Sequence, residues 1–200
     1  MPGCALSAKR KKRRPKLAGD NKRQFIIPIA ILVAVILLDQ LTKFWVVSSL
    51  PMGQSRSILG EFLQFKLIYN QGGALGTNLG NSAFYLISSL LILLVVLYFI
   101  ISNISNKIIA NPMAAIAGGA IGNIIDRIRL GEVVDFLDFD FFDINILGYK
   151  IDRWWTFNIA DVGITVGMII LLIHIVFFSK SKKGGIEAPP GDSAGHANGL

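Results

Sequence analysis

The chain has 200 residues, of which 52% are hydrophobic and 16% charged, with a mean hydropathy of +0.56 and a formal net charge of +7. Few soluble domains of this length have such a composition, which places the protein in a membrane. The single cysteine, Cys4, excludes an internal disulfide, and two histidines, His174 and His196, are too few and too far apart for a zinc cluster.

The amino end carries the basic run Lys9-Arg10-Lys11-Lys12-Arg13-Arg14-Pro15-Lys16. Nucleic acid is one partner for such a run, but beside an apolar segment it fixes membrane orientation, so no nucleic acid is expected. Cys4 lies in this tail, remote from the other polar clusters, and a nucleophilic role for it is rejected. Residues 1–24 are expected to be an unstructured cytoplasmic tail. The first apolar run, 25–47, lacks an A-x-A-like cleavage site and is read as a retained span.

Near the far end of that span stands Asp39-Gln40-Leu41-Thr42-Lys43. Positions 39 and 43 are one helical turn apart, so their charges can pair. The pair either helps the span end at the interface or orients a polar site from its edge. Next, Leu63, Phe65, Leu67 and Tyr69 alternate with Gln64, Lys66, Ile68 and Asn70, the period of a half-buried strand. It runs into Asn70-Gln71-Gly72-Gly73-Ala74-Leu75-Gly76, either a plain turn or a loop that supplies Asn70 to a pocket.

Further apolar runs cover about 83–101, 108–128 and 157–178, each near the roughly 20 residues needed to cross a hydrocarbon core. With the first they make an all-α membrane protein of four transmembrane helices in one domain, 25–178, with no internal repeat at a fixed period. The third run holds small residues, including Gly118 and Gly122, that let helices approach closely. One turn on, Asn123, Asp126 and Arg127 share a helix face, with Arg127 expected either to partner Asp126 or to contact a lipid headgroup. Gly131 then breaks the helix, and Asp135 follows on an acidic loop. Asp161 comes one turn after Asn158 at the start of the fourth run, where an acid also suits the helix dipole. Residues 179–200, rich in Gly, Pro and Ser, form a second tail without a core.

Nine Lys or Arg in the amino tail, with Lys107, Lys180, Lys182 and Lys183, place 13 of the 20 basic residues on one side, the cytoplasmic one by the positive-inside rule. Ten of the 13 acids, from Asp39 to Asp161, fall on the other. Polar chemistry is concentrated there, and with thiol, histidine and metal chemistry removed, any catalysis rests on carboxylates. Two of them, sharing one proton, could hydrolyse an amide without cofactor or covalent intermediate. Spacing alone leaves Asp126 and Asp135 competing to partner Asp161.

These motifs together, Asp39 to Lys43, Asn70 with its glycine loop, Gly118 to Arg127, Val133-Val134-Asp135-Phe136 and Phe157-Asn158-Ile159-Ala160-Asp161, resemble the lipoprotein signal peptidase (signal peptidase II) family of bacterial inner membranes. The resemblance covers about residues 25–178. It implies an intramembrane aspartyl peptidase with a small periplasmic β-cradle and a periplasmic loop or helix over the site. It selects Asp135 and Asp161 as the catalytic dyad, with Asp39, Lys43, Asn70, Gly72, Asn123, Asp126, Arg127, Asn158 and Ala160 in binding or supporting roles. The implied partners are a diacylglyceryl-modified prolipoprotein and membrane lipid; the enzyme would be a monomer without cofactor or metal. Two departures stand out: the stretch from 137 to 156 is long for the family, and Leu75 replaces a frequent aromatic. Trp154 and Trp155 suit the interface aromatic belt better than substrate contact. The rival reading is a proton- or ion-coupled transporter using the same carboxylates.

Overall fold

The computed structural model describes residues 18–72, 80–140, 144–146, 149–151 and 155–178. Cys4, the basic run, Gly73, Leu75, Gly76, Asp143, Trp154 and the carboxyl tail lie outside the described residues. Four helices carry the fold: α1 (Ala18–Ser49), α2 (Ser82–Ser102), α3 (Lys107–Leu130) and α4 (Ile159–Ile173), the last continued by a π-helical turn, His174–Phe178. All four are long and apolar enough to cross a membrane. α1 starts at Ala18, ahead of the expected 25, because the bilayer limits the apolar stretch and not the helix that contains it.

The ends of the helices are written locally. Asn81 caps α2 by accepting from the Phe84 amide, and Asn106 caps α3 by accepting from the Ile108 amide. Gly131, at φ +77°, ends α3 in the left-handed conformation that glycine adopts without cost, its N–H donating to the Arg127 carbonyl.

α3 is the central helix and packs on α4, α1 and α2. Its glycines explain how it does so: a β-carbon on Gly118 would stand 2.8 Å from the Leu32 carbonyl of α1, and one on Gly119 would collide with the Ala160 carbonyl of α4. The other helices turn large apolar side chains outward, among them Leu41, Leu94 and Leu172, each at least 60% exposed, a surface suited to lipid and not to water.

At one end of the bundle sits a three-stranded antiparallel sheet in the order β1 (Ser55–Leu59), β2 (Leu63–Asn70), β3 (Val133–Phe139). The alternating segment is thus a strand with the expected bounds. Its Leu67 packs with Val46 of α1, with Leu50 just beyond that helix and with Val134 and Phe136 of β3, which seats the sheet on the bundle. Asp135 lies in β3, opposite Ile68, and not in a loop as expected. Residues 133–136 of β3 are buried on both faces, so the strand shows no alternation to read. Within 137–156 a short hairpin, β4 (Ile144–Ile146) and β5 (Tyr149–Ile151), occurs where a lid helix was one expectation. Phe157 bridges to Leu137 and leads the chain from the sheet into α4.

Candidate active site

The two ends of this connection carry the two acids of interest. Asp135 is 3% exposed on β3, where burial of its carboxyl and the nearby Asp161 charge push its pKa from 3.8 up to about 7. Asp161 is the third residue of α4 and closes a capping box with Asn158: the Asp161 amide donates to Asn158 Oδ1 at 3.0 Å, and the Asn158 amide donates to Asp161 Oδ2 at 3.3 Å. Capping and the polar cluster therefore use the same carboxylate.

Asn158, fully buried, connects the pair. Its Nδ2 donates to Asp135 Oδ1 at 2.7 Å, so one side chain is bonded to both Asp135 and the first turn that holds Asp161. On the far side, Asn70 Nδ2 donates to Asp135 Oδ2 at 2.9 Å, while its Oδ1 accepts from the Gly72 amide at 2.9 Å. That second bond fixes which end of the Asn70 amide faces the acid. Asn123 on α3 completes the set, its Nδ2 donating to Asp161 Oδ1 at 2.9 Å. Asp135 and Asp161 thus accept from neutral amides.

A second polar cluster lies just below. Lys43, 3% exposed, has its ammonium 2.8 Å from both Asp39 Oδ2 and Asp126 Oδ2. Both carboxylates also hold backbone: Asp39 Oδ1 accepts from the Ala160 amide at 2.9 Å and Asp126 Oδ2 from the Val134 amide at 3.1 Å. Ala160 precedes Asp161, and Val134 precedes Asp135. The ionic cluster is therefore fastened to the main chain immediately before each member of the upper pair.

The expected pairing of Asp126 with Arg127 is not formed. Neighbours on a helix point in different directions, so Asp126 turns into the bundle to Lys43, while Arg127 Nη2 reaches the Gly72 carbonyl at 3.4 Å and its guanidinium lies 5.9 Å from the centre of the Tyr85 ring. Asp126 is thereby occupied by a cation and a backbone amide, which leaves Asp135 as the acid near Asp161.

Sequence reasoning missed two contributors. Gln40, whose Nε2 lies 3.1 Å from Asp39 Oδ2, 3.2 Å from the Gly122 carbonyl and 3.2 Å from Asp126 Oδ1, ties α1 to α3. Tyr85 supports Arg127 from α2. Gly122 was read as a packing residue; a β-carbon there would lie 2.5 Å from Asp39 Oδ2, so it also makes room for the ionic cluster. Among the described residues no group of His, Cys, Asp and Glu could hold a metal ion. Trp155 is 44% exposed.

Comparison with known proteins agrees with this architecture. The lipoprotein signal peptidases of Staphylococcus aureus strains Newman and N315 are each 35% identical over 165 residues, covering 82% of this chain and 96% of theirs. A bacterial membrane enzyme solved by the in meso method at 2.3 Å resolution superposes with a TM-score of 0.67 at 33% identity, over 80% of this chain and 94% of that one. A second, at 1.9 Å, gives 0.63 at 34% identity, over 76% and 93% of the two chains. The family model for signal peptidase (SPase) II matches residues 31–177, which takes in every side chain of both polar clusters. A four-span membrane protein with these matches over most of its length belongs to the signal peptidase II family of proteases.

Proposed function

We propose that the protein is an aspartyl endopeptidase that removes the signal peptide from diacylglyceryl-modified prolipoproteins, cutting on the amino side of the lipidated cysteine, with Asp135 and Asp161 as its catalytic pair. The observation that carries this reading is Asn158, bonded to Asp135 and, through the capping box, to Asp161. It brings two carboxyl groups to one end of a four-helix bundle with amide partners.

Two neighbouring carboxyls share a proton more cheaply than they ionise together. The ionised member takes a proton from water as the oxygen attacks the scissile carbonyl, and the protonated member donates to the carbonyl oxygen. Proton return to the departing amine then releases the signal peptide. Asp135, whose proton is held up to about pH 7, suits the acid role. Asn70, Asn123 and Asn158 keep both carboxyls oriented. Asp39, Lys43, Asp126, Arg127, Gly72 and Ala160 hold the segments that bear them.

The peptidase domain is assigned to 25–178, between cytoplasmic tails 1–24 and 179–200, in the bacterial cytoplasmic membrane with the site on the outer face. The apolar faces of the helices let a lipidated substrate approach from the bilayer, and the lipid supplies binding energy remote from the bond broken. One chain provides every residue of the site, so a monomer suffices. α2 holds no acid and α4 none beyond Asp161, which leaves a transporter without a carboxylate path across the membrane.

The test is cleavage of a diacylglyceryl-modified prolipoprotein by Asp135→Asn and Asp161→Asn in detergent. Each is expected to lower kcat by about a thousandfold or more. A folded variant of either kind that cuts at the wild-type rate overturns the pair. A proton flux in liposomes abolished by both changes, with no cleavage by the wild type, would replace it with the transporter.

A further inference from the structure

Lys43 makes three polar contacts, not two. Beyond Asp39 and Asp126, its Nζ donates to Asn123 Oδ1 at 3.0 Å. An ammonium has three donors and no acceptor, so these contacts fill it and leave Asn123 no choice of orientation. The carboxamide must turn its oxygen to Lys43, and Asn158 Nδ2, 3.1 Å away, donates to that same oxygen. The Asn123 nitrogen then faces Asp161 Oδ1 at 2.9 Å. Turned over, the amide would present a carbonyl oxygen to Asp161, an arrangement tolerated only by a protonated acid.

We propose that Lys43 is a positioning residue for the reaction: by holding the Asn123 carboxamide in one orientation it keeps an N–H donor on Asp161 Oδ1. This rests on the pair assigned above. The charged groups around the relay are Asp39 on α1, Asp126 and Arg127 on α3, Asp161 on α4 and Asp135 on β3. From β2, α1 receives the apolar Leu67 near Lys43's turn. Arg127 is directed to Gly72 and Tyr85, so Lys43 is the cation that touches Asn123.

The two effects of Lys43, its charge and its donor, move a bell-shaped pH profile differently. Loss of the charge makes both acids harder to ionise and carries both limbs to higher pH together. Loss of the N–H donor removes a hydrogen bond to the singly ionised pair, which raises the low-pH limb more than the high-pH one and narrows the bell. Lys43→Gln keeps a donor without the charge, and Lys43→Met removes both.

The experiment measures kcat and KM against pH on a diacylglyceryl-modified prolipoprotein for Lys43→Gln, Lys43→Met and Asp161→Asn. Lys43→Met/Asp39→Asn, read against Asp39→Asn alone, serves where an unbalanced buried charge prevents folding. The proposal expects Lys43→Gln to translate the bell at constant width and keep kcat within about threefold. The Met variants should narrow it from the acid side and lose about ten- to a hundredfold in kcat at unchanged KM. Equal widths for Gln and Met overturn it, as does a Gln variant whose bell narrows if neither Met variant folds. Should Asp161→Asn retain the wild-type rate, the pair itself fails; an inactive Asp161→Asn beside equal bells removes only the role of Lys43.

Discussion

Two pairs of aspartates lie one above the other in this protein, and their surroundings differ in kind. Asp39 and Asp126 share an ammonium at 2.8 Å, while Asp135 and Asp161 receive amide N–H groups from Asn70, Asn123 and Asn158. A cation in contact with both carboxylates holds them in place and makes them part of the frame. Neutral donors orient a carboxylate and leave its proton available for exchange. The lower pair can be structural and the upper pair chemical even though all four are aspartates at the same end of the bundle.

The sharpest break of that comparison exchanges asparagine for each type of acid. Asp135→Asn should remove activity by about a thousandfold or more while leaving thermal unfolding in detergent little changed, since it relieves the burial of a carboxyl. Asp126→Asn should do the opposite first: Lys43 keeps one counter-charge of two, the new carboxamide turns an NH2 toward Gln40 Nε2 where an acceptor stood, and stability falls by about 3 kcal/mol. Equal losses of stability for the two variants would erase the distinction.

Titration separates the pairs next. The Asp135 pKa is raised to about 7 in the fold from an ordinary 3.8, so its contribution to stability is complete below pH 4 and is lost as pH rises through 7. Activity that needs this proton falls over the same upper range. Asp135→Asn should flatten the dependence of thermal midpoint on pH between about 4 and 7. A slope unchanged by the substitution would mean that Asp135 is not the group responsible.

The frame also depends on empty space. Gly119→Ala would drive a β-carbon into the Ala160 carbonyl and toward Ile164, and Gly122→Ala would press on Asp39. Each should cost about 1 to 3 kcal/mol, with kcat falling as the first turn of α4 moves Asp161. Unfolding and single-turnover cleavage on the two variants measure both effects.

Much of this was readable beforehand because it is written in local patterns. Four apolar runs gave four helices, and the alternation from Leu63 to Tyr69 gave β2. Asp39 and Lys43, one turn apart, do pair. What escaped notice depended on contacts between distant segments or on residues that carry no signal. β3 hid because both its faces are buried; Asp126 met Lys43 from another helix instead of its neighbour Arg127. Gln40 and Tyr85 are single neutral residues in apolar helices, and only the packing of α1 and α2 on α3 reveals what they touch. The choice of Asp135 over Asp126 came from resemblance, and the structure adds how their surroundings differ: Lys43 contacts Asp126, while Asn70 and Asn158 donate to Asp135.

The smallest effect tests how far the support of the upper pair extends. Tyr85 lies under the Arg127 guanidinium, Arg127 reaches the Gly72 carbonyl, and the Gly72 amide holds the Asn70 side chain that donates to Asp135. A cation over an aromatic face contributes about 0.5 to 2 kcal/mol, which through this path becomes a loss of a few-fold in kcat for Tyr85→Leu. Tyr85→Phe keeps the ring and should lose less. If Phe and Leu behave alike, the ring does not steady Arg127, and the Asn70 turn holds its donor on Asp135 without help from α2.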